Sequence, residues 1–340
     1  MHVTSAPLLS VSGLRIVFDL PGGPARAVDD VSFDIAAGET LGLVGESGSG
    51  KSVTALAMMR LLRKPGRVDG GTVRFTPRAG DGAAAGADTV DLLTLPESTM
   101  RRMRGRHIGF VFQEPMSALD PVQTVGAQIA EALHVHGLAS GHEARRRSVE
   151  LLDAVRIPNA AARVDDYPHQ LSGGMRQRVM IAMAIACEPE ILFADEPTTA
   201  LDVTVQAQVL ELMGELRQRL GMAMVIITHD LGVVATHTDK IAVMYGGEVV
   251  EIASTKELFA NMRHPYTEAL MKSIPRLDRA PGERMPAIAG TPPDPVAERV
   301  GCAFAPRCAY ATDKCHKEHP ELTDAGNGHA YRCFFPLGAK

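Results

Sequence analysis

Thr40-Leu41-Gly42-Leu43-Val44-Gly45-Glu46-Ser47-Gly48-Ser49-Gly50-Lys51-Ser52 runs from a short apolar strand, through a glycine-rich loop, into a stretch of good helix formers. Residues 45–52 fit G-x-x-x-x-G-K-[ST] in full, and a strand before and a helix after give that pattern its meaning. Gly45, Gly48 and Gly50, with Ser47 and Ser49 between them, let backbone N–H groups turn inward around phosphate oxygens. The helix N-terminus adds about half a unit of positive charge. Lys51 is placed to reach the β- and γ-phosphates and Ser52 to offer a hydroxyl to Mg²⁺. An ordinary glycine-rich turn is the bland alternative, and the completed motif in its proper context argues against it. Alone, the motif marks a P-loop nucleotidase and no particular branch.

Working outward, the first forty residues alternate apolar and polar and predict strands over 8–12, 14–18 and 27–35, with Pro21-Gly22-Gly23-Pro24 as a turn. A helix is expected over 51–62, stopping before Pro65-Gly66, and strands over 72–75 and 89–92 flank a Gly/Ala-rich loop at 77–87. Residues 117–165 carry helical spacing. Apolar strand-like runs return at 191–194, 224–228 and 241–245, with helices between them. Such alternation implies a largely parallel sheet covered on both faces. From about Leu277 prolines crowd the chain, and the composition becomes that of a linker into a small loop-rich module.

Ile191-Leu192-Phe193-Ala194-Asp195-Glu196 is an apolar strand that ends in two acids. Desolvated carboxylates are costly, so the pair belongs at a strand's C-terminal edge, facing Mg²⁺ and water. Asp195 would hold the hydrated metal and Glu196 would orient and deprotonate the attacking water. Leu171-Ser172-Gly173-Gly174-Met175-Arg176-Gln177-Arg178 supplies a second Ser-Gly-Gly helix start, suited to phosphate. One nucleotide rarely needs two such sites from one chain, which points to a partner subunit that closes over the first.

These motifs together resemble the ABC ATPase family, the octapeptide 171–178 being similar to its signature with Met175 where Gln is commoner. The resemblance implies an α/β fold: a P-loop ABC nucleotide-binding domain with a RecA-like core, an antiparallel β subdomain and a helical subdomain over about 115–180. It also implies roles for further residues. Gln113, in Phe112-Gln113-Glu114-Pro115, resembles the glutamine loop that senses Mg²⁺ and water. Asp202, in Ala200-Leu201-Asp202, resembles the D-loop. His229 resembles the switch histidine at the γ-phosphate, and Phe18 the aromatic that stacks on adenine, with a core strand Phe as the alternative. Lys51, Gln113, Glu196 and His229 are the expected catalytic set. Ser52, Gln113 and Asp195 are the expected Mg²⁺ set.

Gln113–Pro121, Tyr167–Gln170, His264–Leu270, Ser273–Leu277 and Cys302–Cys308 resemble the oligopeptide/dipeptide importer ATPases, from about residue 8 to the end. That branch implies a division into 1–275 and 276–340. Its assembly contains a related second ATPase, making a heterodimer, with two transmembrane permease subunits and an external substrate-binding protein. A nickel or other small-solute importer remains an alternative, as does a soluble ABC ATPase of translation or DNA repair. Against the soluble types stand the single phosphate loop and the short, heptad-free span between Lys51 and Leu171.

The 340 residues are 45% hydrophobic and 22% charged with net charge −5, which gives no broad attraction to nucleic acid. The run Arg101–Arg106 is read as a solvated helix face. No apolar run is long enough to span a bilayer and the N-terminus lacks a leader pattern. The expectation is therefore a peripheral protein on the cytoplasmic face of the inner membrane. Cys302, Cys308, Cys315 and Cys333 are spaced C-x5-C-x6-C-x17-C. Four thiolates suit Zn²⁺ or a [4Fe–4S] cluster. Tight zinc knuckles are lacking, and the resemblance implies the cluster, in a structural role, with unliganded thiols as the bland alternative. Cys187 reads as a small buried residue.

Overall fold

The computed structural model describes residues 6–78, 88–199, 201–273, 288–297 and 299–338. Most of the predicted loop at 77–87, Ala200 and the boundary at 275/276 lie outside the described residues, as does most of the Ser273–Leu277 segment.

Two sheets organise the chain. The first is antiparallel, ordered β2-β1-β4-β5, and is made of β1 (Leu9–Leu20), β2 (Gly23–Ile35), β4 (Gly66–Phe75) and the two-residue β5 (Val90–Asp91). The two early strands expected from alternation are one strand, β1, because the register slips around Gly13 without ending the pairing with β2 or β4. Gly13 takes φ 59° there.

The second sheet has eight strands, ordered β11-β12-β10-β9-β3-β8-β7-β6. Its centre is parallel: β3 (Thr40–Val44), β6 (Ile108–Val111), β7 (Ile191–Asp195), β8 (Ala223–Thr228) and β9 (Lys240–Tyr245). Every residue of β3, β7 and β8 is buried, as expected for strands covered on both faces. β10 (Glu248–Ser254) turns back antiparallel to β9. Two short strands near the chain's end, β11 (Thr323–Asp324) and β12 (Ala330–Tyr331), extend the same sheet, with β12 paired antiparallel to β10.

The helices are α1 (Lys51–Met58), α2 (Glu97–Arg106), α3 (Pro115–Ala118), α4 (Val125–Val135), α5 (Gly141–Ala154), α6 (Ala160–Arg163), α7 (Gly173–Ile185), α8 (Val203–Leu220), α9 (Leu231–His237), α10 (Thr255–Ala260), α11 (Pro265–Lys272) and α12 (Asp313–Lys317). α1 is shorter than its run of helix formers suggests. Arg60 takes φ 53° and the Leu61 N–H returns to the Leu56 carbonyl, so the chain leaves the helix before Leu62. In α2 the helical dihedrals fail at Arg104 and Gly105, and the Arg104 guanidinium pairs with Glu97 and the Met59 carbonyl. The basic run is thus a partly tethered helix end.

Three apolar cores follow. Leu9, Ile35, Phe75 and Met100 lock the antiparallel sheet against α1 and the central strands. Ile129, Leu152, Ile181 and Met213 join α4, α5, α7 and α8 to the other face. Val44, Tyr245, Tyr266, Leu270 and Phe304 form the third, so the C-terminal residues share a core with the strand that carries the glycine-rich loop. Tyr245, Tyr266 and Phe304 pack tilted or edge-to-face at centroid distances of 4.5 to 5.3 Å.

Candidate functional site

The loop between β3 and α1 is shaped by glycines for which the surrounding backbone leaves no substitute. A Cβ on Gly45 would lie 2.1 Å from the Met244 carbonyl oxygen. Gly50, the N-cap of α1, has φ 100°, and a Cβ there would lie 2.6 Å from the Ala27 carbonyl oxygen. Ser47 and Gly48 are exposed, whereas Ser49 is buried.

Lys51 is buried inside this loop. Its ammonium donates to the carbonyls of Gly45 and Glu46, both at 2.8 Å, and lies 3.3 Å from Ser49 Oγ. Burial lowers its pKa, opposed by the charges of Glu196, Asp195 and Glu46. Ser52 Oγ donates to Asp195 Oδ1 at 2.8 Å. The loop's hydroxyl and the acid at the end of β7 are therefore adjacent although 143 positions apart in sequence. Burial raises the Asp195 carboxyl, with the Ser52 hydrogen bond working against it. A buried carboxylate beside a hydroxyl is a donor set of hard oxygens that fits Mg²⁺.

Glu196 sits at the next position with φ 43°, a left-handed conformation unusual for Glu. Three side chains converge on its carboxylate. Gln113 Nε2 donates to Oε2 at 3.0 Å and Thr199 Oγ1 donates to Oε2 at 2.8 Å, while His229 Nδ1 lies 3.1 Å from Oε1. Burial works to raise this carboxyl, but the His229 and Thr199 hydrogen bonds, together with the charges of His229 and Lys51, outweigh it and the net shift is downward. A carboxylate kept ionised and aimed from several sides can orient and deprotonate a water. The structure thus brings together Lys51, Ser52, Asp195, Glu196, Gln113 and His229. Thr199 was missed in the sequence, although one turn after a strand-end acid is where a backing hydroxyl would fall.

The remaining expected residues stand apart. Phe18 is half-buried on β1, its ring against Gly66, where a Cβ would come within 2.8 Å of the ring. Ser172 caps α7, accepting from the Met175 N–H at 3.3 Å, and Ser172 and Gly173 are exposed. Gly174 is half-buried, with Val205 Cγ1 2.9 Å from where its Cβ would be. Asp202 caps α8 through the Val205 N–H at 3.0 Å and is exposed, beside Val203 at 83% exposure. Ser172 and Gly173 at the start of α7 and Val203 at the start of α8 face solvent.

The four late thiols are free and gather at one place. Cys302, Cys308, Cys315 and Cys333, with His264, Phe304 and Phe334, line one small, mostly apolar cleft. The Cys302 N–H donates to the Cys315 carbonyl at 2.8 Å. Burial pushes the Cys302 thiol up to about 11 and raises those of Cys308 and Cys333. Among the described residues, no three His, Cys, Asp or Glu side chains are grouped so that they could hold a metal ion. Cys187, just beyond α7, is buried, its thiol pushed up to about 11.

Comparison with known proteins places these features. Residues 28–199 match the family model described as ABC transporter, and residues 250–315 match the model described as oligopeptide/dipeptide transporter, C-terminal region. A putative peptide import ATP-binding protein of Brucella melitensis biotype 1 is 50% identical over 333 residues, with 96% of each chain covered. One from Brucella abortus is 51% identical, covering 98% of this chain and 96% of its own. Among solved structures, the dimeric post-hydrolysis state of the ATP-binding cassette MJ0796 bound to ADP and Pi aligns with TM-score 0.62 at 28% identity, covering 73% of this chain and 98% of that one. cbiO1 from Clostridium perfringens, part of the complex cbiONQ, aligns with TM-score 0.60 at 26% identity, covering 75% and 92%. The chain belongs to the ABC transporter family of ATP-hydrolysing subunits, and its C-terminal quarter carries the family's oligopeptide/dipeptide-type extension.

Proposed function

We propose that this chain is the ATPase of an importer for peptides or related small solutes, working as half of a motor. The observation that carries the reading is the convergence of Lys51, Ser52, Asp195, Glu196, Gln113 and His229 at the C-terminal ends of the central strands, in a chain that also bears the C-terminal extension. Relatives half identical over nearly the whole length are named as peptide import ATP-binding proteins, which supports the cargo class.

In this reading the 45–52 loop cradles the triphosphate and Lys51 neutralises its β- and γ-oxygens. Ser52, Asp195 and Gln113 would hold Mg²⁺, which supplies charge neutralisation on the phosphoryl oxygens. Glu196 takes a proton from water as its oxygen attacks the γ-phosphorus. The bond from that phosphorus to the β,γ-bridging oxygen breaks, and ADP leaves with the bond's electron pair. His229 steadies the Glu196 carboxylate and the γ-phosphate. Phe18 receives the adenine ring. The Ser172-Gly173-Gly174 lip and Asp202 serve the nucleotide of a second, homologous ATPase, in a heterodimer.

Two transmembrane permease subunits and an external substrate-binding protein complete the assembly, with this subunit peripheral on the cytoplasmic face and no role for nucleic acid. Among the described residues no helix is long and apolar enough to cross a membrane. Within the chain, residues 1–275 form the nucleotide-binding part and 276–340 the C-terminal module.

The four thiols that line one cleft are read as ligands of a structural [4Fe–4S] cluster, with Zn²⁺ as the alternative. Burial holds three of the thiols protonated, so a set of four thiolates there calls for a strongly cationic group. Protein purified without oxygen is expected to be brown, with iron and sulfide each at about four per chain. Colourless protein containing zinc would remove the cluster.

The test of the motor is E196Q. ATP hydrolysis is expected to fall by at least about 10²-fold while ATP binding persists, and ATP is expected to trap the closed dimer. Unimpaired turnover by this variant would remove Glu196 from its role.

A further inference from the structure

The phosphate-loop pattern leaves its second position open, yet here that position, Glu46, is the most heavily tethered residue of the loop. Its N–H donates to the Tyr266 hydroxyl at 2.8 Å and its carbonyl accepts from Lys51 at 2.8 Å. Its carboxylate is gripped end-on by Arg307, Nη1 to Oε2 at 2.6 Å and Nη2 to Oε1 at 3.0 Å. Arg307 lies 261 positions away, in the turn between Cys302 and Cys308.

The guanidinium is saturated. Nε donates to the Ala289 carbonyl at 2.8 Å, Nη2 to the Ile288 carbonyl at 3.1 Å and Nη1 to the Tyr245 hydroxyl at 3.3 Å. Its side chain is 3% exposed and the charge sits 5.7 Å from the centre of the Tyr245 ring. A planar fork meeting a carboxylate in this way is strong and geometrically specific, and leaving either partner alone in such a place is costly.

We propose that Arg307 is a positioning residue for nucleotide binding: through Glu46 it sets the shape and charge of the phosphate loop. Two physical effects follow. Arg307 anchors the backbone whose carbonyls hold Lys51, so the lysine's placement depends on a residue of the cysteine module. It also cancels the charge of Glu46, which would otherwise stand beside a site that takes a polyanion and repel it. The cysteine module thereby acts on the nucleotide whatever its thiols hold.

The inference rests on residues 45–52 being the nucleotide loop, and the two can fail separately. Equilibrium binding of a fluorescent ATP analogue to the full chain is the measurement. Wild type that binds no nucleotide would sink the loop assignment. With wild-type binding in hand, R307A is expected to weaken affinity about tenfold or more. R307K, which keeps the charge and loses the fork, should fall between. Adding E46Q to R307A should restore much of the affinity, because the repelling charge is gone. If R307A only lowers melting temperature and leaves affinity unchanged, Arg307 is structural and the proposal is overturned. If E46Q and R307A losses simply add, charge cancellation is overturned. Should R307A fail to fold, R307K and E46Q give the same comparison: R307K binding as tightly as wild type would sink the idea.

Discussion

Glu196 is the residue on which the chemistry turns, and its backbone shows what holding it there requires. A non-glycine residue at φ 43° costs on the order of 1–3 kcal/mol. Its N–H is anchored on the Ile227 carbonyl of β8 at 2.9 Å, and Thr199, Gln113 and His229 aim the carboxylate. Thr199 is the hydroxyl of the set. In T199V one hydrogen bond that favours the ionised form disappears, so the Glu196 pKa should rise. A general base with a raised pKa is lost at higher pH on acidification. The acid limb of the kcat profile is therefore expected to move upward in pH. An unmoved acid limb in T199V would show that Glu196 does not set it.

At the scale of elements, much was legible because local chemistry decided it. The 45–52 loop, β3, β7, β8 and β9 follow from apolar runs that end in Gly, an acid or, for β8, Thr228-His229, and the start of α7 follows from Ser172. Other boundaries were set by contacts that no window of sequence contains. β1 continues past Gly13 because neighbours on both sides pair with it. α1 stops at Met58 although helix formers continue, since Arg60 turns left-handed and its guanidinium reaches the Leu95 carbonyl and Glu97. α4 lies where it does partly because Gly126 lets the chain approach Val164: a Cβ there would meet Val164 Cγ2 at 2.2 Å. The site divides in the same way. Lys51, Ser52, Asp195 and Glu196 announce themselves by motif. Thr199 carried only a spacing hint, and the Glu46–Arg307 pair carried none, being an unspecified motif position and an arginine among prolines and cysteines.

The whole molecule is sensitive to acid through His264, buried at the start of α11 near the C-terminal residues. Its Nδ1 accepts from the Tyr266 N–H at 3.1 Å. Burial pushes its pKa down to about 3, a hydrogen bond to the Arg332 backbone opposing the shift. The unfolded chain takes up this proton below about pH 6.5 while the folded chain stays neutral until about pH 3. The stability due to neutral His264 is thus fully present above pH 6.5 and is lost as pH falls towards 3. At pH 5 the loss is about 2 kcal/mol. H264N keeps a capping side chain that does not titrate. Its melting temperature, lower at pH 7, should drop less than wild type's between pH 7 and pH 5. Equal drops would clear His264 of the effect.

β12 is only two residues, Ala330 and Tyr331, but it hydrogen-bonds to β10 and so closes the flank of the catalytic sheet. Beyond it lies β11, equally short and exposed, a poor template for an intruding strand. The order of manufacture follows. A ribosome must deliver Tyr331 before the sheet's rim can be sealed, long after residues 45–52 have been made. Until then the outer edge of β10 stays unpaired, an open seam along the growing polypeptide.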